Sequence, residues 1–306
     1  MQVSKKMALT PKITVRPIDD SDILTIIRWI DKWQRVHWRI SPLEVETKLA
    51  TRPGFLAEDR SGLRGFMLTE PQPAGHLLMI GIGLRDSWNV RPYLKHLLPP
   101  IEALMQAKSL TGLMHIGGSD WFVNGLAEHG FSNKAWVVTL ERLASPLPPF
   151  ALPVTEIRPA TKSDILAIHN IDCLTFDTMW HKAQSHFSQA LNPPHHMLTA
   201  ILNCRVVGYI WSERYNNHVH ITRLVVHPDY QGRQIGVQLL HQLLTEMLAL
   251  GITRFSTNTL AHNQPALKIY KQFNFDHTQQ MPILWRDTAR SSLENSTLQY
   301  KKARFL

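Results

Sequence analysis

Cysteine is almost missing from this chain: Cys173 and Cys204 are the only two among 306 residues, and nothing in their spacing suits a metal. A disulfide framework is thereby excluded, and the pattern suits a reducing compartment, for which a cytoplasmic location is the default expectation. Long apolar runs are missing as well. No stretch approaches the roughly 18 residues that a membrane-spanning helix needs, and Met1 to Pro11 lacks the apolar centre of a secretory signal. Both absences predict a soluble protein. Histidine is plentiful, with 16 copies, yet His195-His196 and the pair His218 and His220 stand at loop or strand spacing, so no metal is expected.

Acidic residues are outnumbered, 24 against 33 basic ones, which gives a formal net charge of +9 and an isoelectric point near 9.7. A positive field attracts phosphates. No RNA or DNA module signature accompanies it, however, and the longest basic cluster, Lys301-Lys302-Ala303-Arg304, sits in a terminal stretch that reads as solvated. An anionic small ligand or an acidic partner surface is a sufficient use for the charge. Nucleic acid is the weaker reading, and it predicts binding that collapses steeply with salt.

What is present is length and repetition. With 44% hydrophobic and 19% charged residues, 306 positions suffice for two units of about 150, each with its own core. Arg16-Pro17, Ser21-Asp22-Ile23-Leu24 and Ile30-Asp31 recur as Arg158-Pro159, Ser163-Asp164-Ile165-Leu166 and Ile171-Asp172, about 142 positions on. Arg64-Gly65-Phe66-Met67 parallels Val207-Gly208-Tyr209-Ile210, and Gly130-Phe131 parallels Asn274-Phe275. Each half is expected to run strand, helix pair, two antiparallel strands, a central strand, helix, strand, helix and terminal strands, an α/β (α+β) architecture with a mixed sheet. Pro146, Pro148, Pro149 and Pro153 mark the seam. The expected division is 1–145, a proline-rich linker at 146–154, a second domain at 155–290 and a polar tail at 291–306.

The stretch that carries chemistry begins at Leu224-Val225-Val226. This β-branched run leads through His227-Pro228-Asp229-Tyr230-Gln231-Gly232-Arg233-Gln234-Ile235-Gly236-Val237 into a helix whose face is Leu239, Leu240, Leu243, Leu244, Met247 and Leu248. After Asp229 the loop holds two glycines, one arginine and no acid, so the amides that open the helix can point at an anion of pyrophosphate size. Downstream, Asn263-Gln264-Pro265-Ala266 starts a second helix with a cap and an early proline, and its apolar face is Ala266, Ile269, Tyr270 and Phe273.

These two stretches, in this order, resemble the signature motifs of the GNAT acetyltransferase superfamily. Gln231 and Gly236 stand at the first and last positions of its Gln/Arg-x-x-Gly-x-Gly/Ala loop, and Asn263, Ala266 and Tyr270 match its Asn-x-x-Ala-x-x-x-Tyr helix. The resemblance implies two tandem GNAT-like domains, with acetyl-coenzyme A as cosubstrate and an amine as acceptor. It implies that Leu224, Val225 and Val226 hold the acyl arm through backbone groups, and that Gln231, Gly232, Arg233, Gln234, Ile235, Gly236 and Val237 receive the pyrophosphate. Asn263 and Ala266 would line the arm, and Tyr270 would be the acid for the departing thiolate; a core aromatic is the plainer alternative for Tyr270, and simple capping explains Asn263 equally well.

The sequence departs from the family in three ways. Gln234 stands where the loop usually has its first glycine, which is harmless unless a positive φ is needed there. The ribosomal-protein alanine acetyltransferases, whose motifs this half resembles, carry a glutamate at the position of Asn258, and asparagine accepts no proton. Glu213 and His220 are the substitute bases within reach, although a solvated strand-end charge and a paired strand histidine account for them as well. Finally, the first half puts Trp88, Asn89 and Tyr93 where the second has Gln231, Gly232 and Gly236. It therefore reads as a degenerate copy.

Phe176, Trp180, His181 and Phe187 lie where the family covers its acceptor, and they suit a peptide N-terminus or an amphipathic amine, or equally a helix's buried face. The resulting expectation is an N-acetyltransferase acting on a primary amine through its C-terminal half. The alternative is a non-catalytic acyl-coenzyme A sensor.

Overall fold

A computed structural model of the chain describes residues 12–40, 53–85, 90–117, 119–149 and 153–288. The Met1 to Pro11 segment, Trp88, Asn89, the 291–306 tail with its basic cluster, and part of the proline-rich seam lie outside the described residues. No described helix is long and apolar enough to cross a membrane.

In chain order the strands and helices are β1 (Thr14–Pro17), α1 (Ile23–Ile30), β2 (Arg35–Trp38), β3 (Gly54–Asp59), β4 (Gly62–Gln72), β5 (His76–Leu84), α2 (Val90–Ala107), β6 (Gly112–Ile116), α3 (Asp120–Glu128) and β7 (Ser132–Leu143). There follow β8 (Glu156–Pro159), α4 (Ile165–Thr175), α5 (Gln184–Gln189), β9 (His195–Leu202), β10 (Arg205–Tyr215), β11 (His218–Val226), α6 (Ile235–Ala249), β12 (Arg254–Leu260), α7 (Gln264–Gln272) and β13 (Asp276–Asp287). They gather into two compact units. Of the described residues, one unit takes those up to Pro71, those in Gly75–Lys134 and those from Ile283 onward, and the other takes Gln72–Ala74 and those in Ala135–Pro282.

The duplication seen in the sequence is repeated atom by atom. Arg16 grips Asp22 with two bonds of 2.7 Å, and Arg158 grips Asp164 at 2.7 and 2.9 Å. In both copies that carboxylate also accepts from the backbone three residues back, at Asp19 and Thr161, so one fork fixes the entry to the first helix of each unit. The ends of α3 and α7 match too: Gly130 and Asn274 both take positive φ, and Phe131 and Phe275 donate back to Leu126 and Tyr270.

In the second unit β8, β9, β10 and β11 are successively antiparallel, and β11 then runs parallel to β12. Residues 137–143 of β7 close the sheet against β12. One face packs on α6 and α7 through Val219, Ile221, Leu239, Leu243, Phe255 and Phe273. The opposite face packs on α4 and α5 through Ile168, Phe187, Tyr209, Trp211 and Val225. The first unit repeats the order β1, β3, β4, β5, β6, and residues 283–287 of β13 pair with β6. Each unit is thus completed by a strand from the other half of the sequence, where the sequence suggested one seam at 146–154. The far end of that seam is tied down: buried Gln238 on α6 accepts from the Val154 and Thr155 amides and donates to Thr155 O.

The first unit also holds half-buried His37 on β2 against buried His115 on β6, with their rings 4.7 Å apart. Among the described residues, neither His115 nitrogen, nor His37 Nε2, has a hydrogen-bond partner. Burial holds the His37 imidazole down at about 4, and burial together with His37 and Arg39 holds His115 well below its usual range. Both rings are therefore neutral when folded. A lowered folded value means that their contribution is intact above the unfolded value of about 6.5 and is lost as pH falls through 4. Acid is accordingly expected to lower the protection of amides in β2 and β6, relative to their intrinsic exchange rates at each pH, between those limits, and the His37→Phe variant should blunt the effect.

Candidate active site

β11 and β12 are paired only from His218 opposite Arg254 to Ile221 opposite Thr257. Beyond that point β12 pairs with β7, from Asn258 opposite Thr139 to Leu260 opposite Val137, and β11 runs on alone on that side to Val226. The cause is a bulge. The register between β10 and β11 slips at Trp211 and Ser212, which leaves Thr222 without an opposite residue, and such an extra residue bends and overtwists its strand.

Which backbone groups face the opening follows from the pairing. His227 N donates to Val207 O at 2.9 Å, and hydrogen-bonded pairs alternate along an antiparallel ladder. Val225 and Arg223 therefore bond to β10, while the backbone groups of Leu224 and Val226 point into the gap left by β12. Gln231 agrees: its side-chain Nε2 reaches back to Val226 O at 3.1 Å, a carbonyl that β10 does not hold. Val225, grouped in the sequence with its two neighbours, turns its backbone to the sheet and its side chain into the core.

The open strand leads to the loop. Pro228–Tyr230 form one 3-10 turn, Gly232 takes φ +76°, and Gln234 takes φ 63°, ψ 8° as the residue before α6, with no side-chain cap on the helix. Alternating hands of backbone curl the amides of 232–237 into a concave, uncapped donor set. Gly232, Arg233 and Gln234 are exposed, Ile235 and Gly236 buried, and Val237 half-buried. Arg233 lies 5.2 Å from the Tyr230 ring centre, at the edge of the loop.

The question the sequence left open at Gln234 is thereby answered, because the position does require positive φ. A side chain there costs about 1–2 kcal/mol, partly offset by the roughly 0.5–1 kcal/mol of chain entropy that a glycine loses on folding. Gln234→Gly is expected to raise the melting temperature by about 1–3 °C, read by differential scanning calorimetry. An unchanged or lower value would mean that the glutamine is unstrained.

Tyr270 on α7 is buried and aims its hydroxyl at the point where β11 and β12 part. There Thr257 Oγ1 lies 3.0 Å from Ile221 O and 3.4 Å from Tyr270 Oη, so one hydroxyl links the last paired residues to the tyrosine. Burial pushes the phenol up to about 12, and the Thr257 contact opposes this weakly. The proton therefore stays on Tyr270 throughout the neutral range. Asn263 caps α7 by accepting from Ala266 N at 3.3 Å and donates to Thr259 Oγ1, which is the capping role.

Residues 165–275 match the Acetyltransferase (GNAT) family. The second unit carries a GNAT acetyltransferase domain. The chain is 30% identical over 96 residues to the uncharacterized N-acetyltransferase YycN of Bacillus subtilis, a match covering 29% of this chain and 62% of that relative. It is 24% identical over 117 residues to a putative ribosomal protein bS18-alanine N-acetyltransferase of the same organism, covering 38% of this chain and 78% of that one. Among solved structures, a GCN5-related N-acetyltransferase from Sphaerobacter thermophilus superposes with a TM-score of 0.68 at 12% identity, covering 92% of this chain and 97% of that one. A tandem GNAT protein from the clavulanic acid biosynthesis pathway gives 0.67 at 13%, covering 90% and 99%. At such identities the likeness is one of fold.

On the opposite face of the GNAT domain, Glu213 of β10 stands directly across from His220 of β11 and His195 of β9. Tyr215 donates to its Oε2, and His195 Nδ1 lies 3.6 Å from its Oε1. His220 Nδ1 and His218 Nε2 each meet the Ser256 hydroxyl at 2.8 Å, so His220 is held as a paired strand histidine. Asn258 accepts from Thr139 Oγ1 at 2.9 Å.

The sequence did not single out Arg223. Its guanidinium lies 3.9 Å from the Phe176 ring centre, donates to Trp180 O and sits 3.5 Å from buried Asp172, which also accepts from Tyr209 Oη at 2.6 Å. This ties the α4–α5 connection to the bulge. Phe187 belongs to the core, Phe176 packs against that core beneath the Arg223 guanidinium, and Trp180 meets the bulged strand through its backbone carbonyl. Among the described residues no cluster could hold a metal ion.

Proposed function

We propose that the second unit transfers an acetyl group from acetyl-coenzyme A to a primary amine, either a peptide N-terminus or a small-molecule amine. The observation that carries this reading is the continuity of the opened strand at Leu224 and Val226 with the uncapped amide nest of residues 232–237. A pantetheine arm and a pyrophosphate require those two features in that order. Bound there, the coenzyme supplies an activated thioester open to direct attack by an amine.

The chain's own residues then divide the work. Outward backbone groups of Leu224 and Val226 hold the arm, and an outward amide is placed to stabilise negative charge developing on the acyl oxygen. Amides of 232–237 and the Arg233 guanidinium receive the phosphates. Tyr270 faces the parting of the strands with its proton in place. Full transfer from a phenol at about 12 to a thiolate near 8.5 would be uphill by about 5 kcal/mol. Tyr270 therefore acts mainly as a hydrogen-bond donor to the departing sulfur. For the base, Glu213 with His220 across from it is the pair present, and an amine arriving neutral needs neither.

The second reading, a non-catalytic acyl-coenzyme A sensor, is favoured by the strained Gln234 and by Asn258 in place of a glutamate. Release of free thiol over a panel of peptide and small amines separates the two. Turnover with any amine supports the enzyme, whereas coenzyme binding without turnover, indifferent to Tyr270→Phe, supports the sensor.

A further inference from the structure

The first unit has the same opening in its sheet, and its own chain fills it. β5 and β6 are paired only at Leu77 with Leu113 and Leu78 with Met114, so β5 runs on alone from Met79 just as β11 does after Ile221. Into that gap comes β2, antiparallel to β5, with Arg35 opposite Leu84, Val36 opposite Gly83, His37 opposite Ile82 and Trp38 opposite Gly81. β4 already occupies the other edge, where Arg85 N donates to Arg64 O, so β2 lies on the side that β6 has left.

The match extends to single backbone groups. Arg39 N donates to Ile80 O at 2.8 Å, and alternation from that bond makes His37 with Ile82, and Arg35 with Leu84, the next hydrogen-bonded pairs. At the 142-residue offset of the duplication, Ile82 and Leu84 are the counterparts of Leu224 and Val226. The groups left facing the gap in the second unit are thus the ones β2 saturates in the first.

β2 also reaches the far wall of the gap. Arg39 Nη1 donates to Ile116 O on β6 at 3.2 Å, and the His37 ring packs on His115. The Trp38 ring lies so close over β5 that a Cβ added at Gly81 would come within 2.7 Å of it. At the position of Gly236 stands Tyr93, buried, with its hydroxyl donating to Phe66 O.

We propose that Arg35–Trp38 is an internal ligand of the first unit, a strand of the chain itself lodged where the second unit takes an acyl-coenzyme A arm, so that this cleft is permanently closed and each chain has a single coenzyme site. The identity of the excluded ligand rests on the function proposed above; the occupation of the cleft does not. Such self-pairing also removes an open strand edge, a hazard for association with other chains.

Amide exchange by mass spectrometry on the full chain, resolved to single amides by fragmentation, tests this with and without acetyl-coenzyme A. Ile82 and Leu84 are expected to be protected at least 100-fold without ligand and unchanged by it, while Leu224 and Val226 exchange fast and slow at least tenfold on its addition. Fast exchange at Ile82 and Leu84 in the free chain, or protection there that appears only with the ligand, would overturn the proposal. Steady protection at 82 and 84 with no response at 224 and 226 would uphold the closed cleft and remove the coenzyme reading of the second unit. In His37→Pro, which lacks the amide proton needed for pairing, Ile82 should exchange at least tenfold faster with coenzyme affinity within twofold of the parent; unchanged exchange would overturn the closed cleft.

Discussion

Gly236→Asp is expected to lower acetyl-coenzyme A affinity by at least 100-fold, about 2.7 kcal/mol, without loss of the fold. Position 236 lies in the first turn of α6, at the end of the concave amide set, and its φ is ordinary, so an L side chain meets no backbone strain. A Cβ there would stand 3.3 Å from Ile269 Cδ1 and 3.7 Å from Val226 Cγ2, contacts that a small movement of two flexible side chains relieves. An acidic residue in a first turn stabilises its helix by roughly 0.3–1 kcal/mol, so the melting temperature should hold or rise. The same carboxylate would face the pyrophosphate and occupy its donors. Affinity and stability are thus predicted to move in opposite directions, which separates a lost site from a damaged protein. Unchanged affinity in a folded variant would show that the nest is not where the phosphates go.

Tyr270→Phe is expected to lower kcat by about 10- to 100-fold, within or just below the usual range for a positioned proton donor, with the acetyl-coenzyme A dissociation constant unchanged. The hydroxyl makes one long contact, to Thr257 Oγ1 at 3.4 Å, and Thr257 keeps its bond to Ile221 O without it, so stability should change little. Because the phenol lies near 12, no limb of the pH–rate profile between 6 and 10 belongs to it. The variant should scale that profile down and leave its shape alone. A profile that loses an alkaline limb would assign Tyr270 a titrating role, and an unchanged kcat would leave it a core aromatic.

Much of this was legible in the residues. The duplicated Arg-Pro and Ser-Asp-Ile-Leu segments announced two copies because the Arg16–Asp22 and Arg158–Asp164 forks need both partners at fixed spacing. Gly232 and Gly236, and the Asn263-to-Tyr270 helix, were readable because a concave loop and a capped helix restrict residue type locally. What was hidden depends on pairing between distant strands. Arg35–Trp38 is four residues with no alternation long enough to mark a strand, and nothing local says which edge it joins.

The same holds for β7 and β13, whose partners lie in the other half of the sequence, as the pairs Leu140 with Thr257 and Leu284 with His115 show. Nothing local marks Thr257, because threonine is an ordinary strand residue. Only the register that stops at Ile221 gives it a place beside Tyr270. Arg223 was masked by the apolar run that follows it, although its ring contact and buried carboxylate partner make it the staple of the α4–α5 connection.

One chain thus carries one open strand edge, on β11 beyond Ile221, and one that β2 has filled, on β5 beyond Leu78. Calorimetric titration of the purified protein with acetyl-coenzyme A measures that directly, through stoichiometry as well as affinity. One site per chain, lost in Gly236→Asp, is the predicted result. Two sites per chain, or a single site that survives Gly236→Asp, would contradict it.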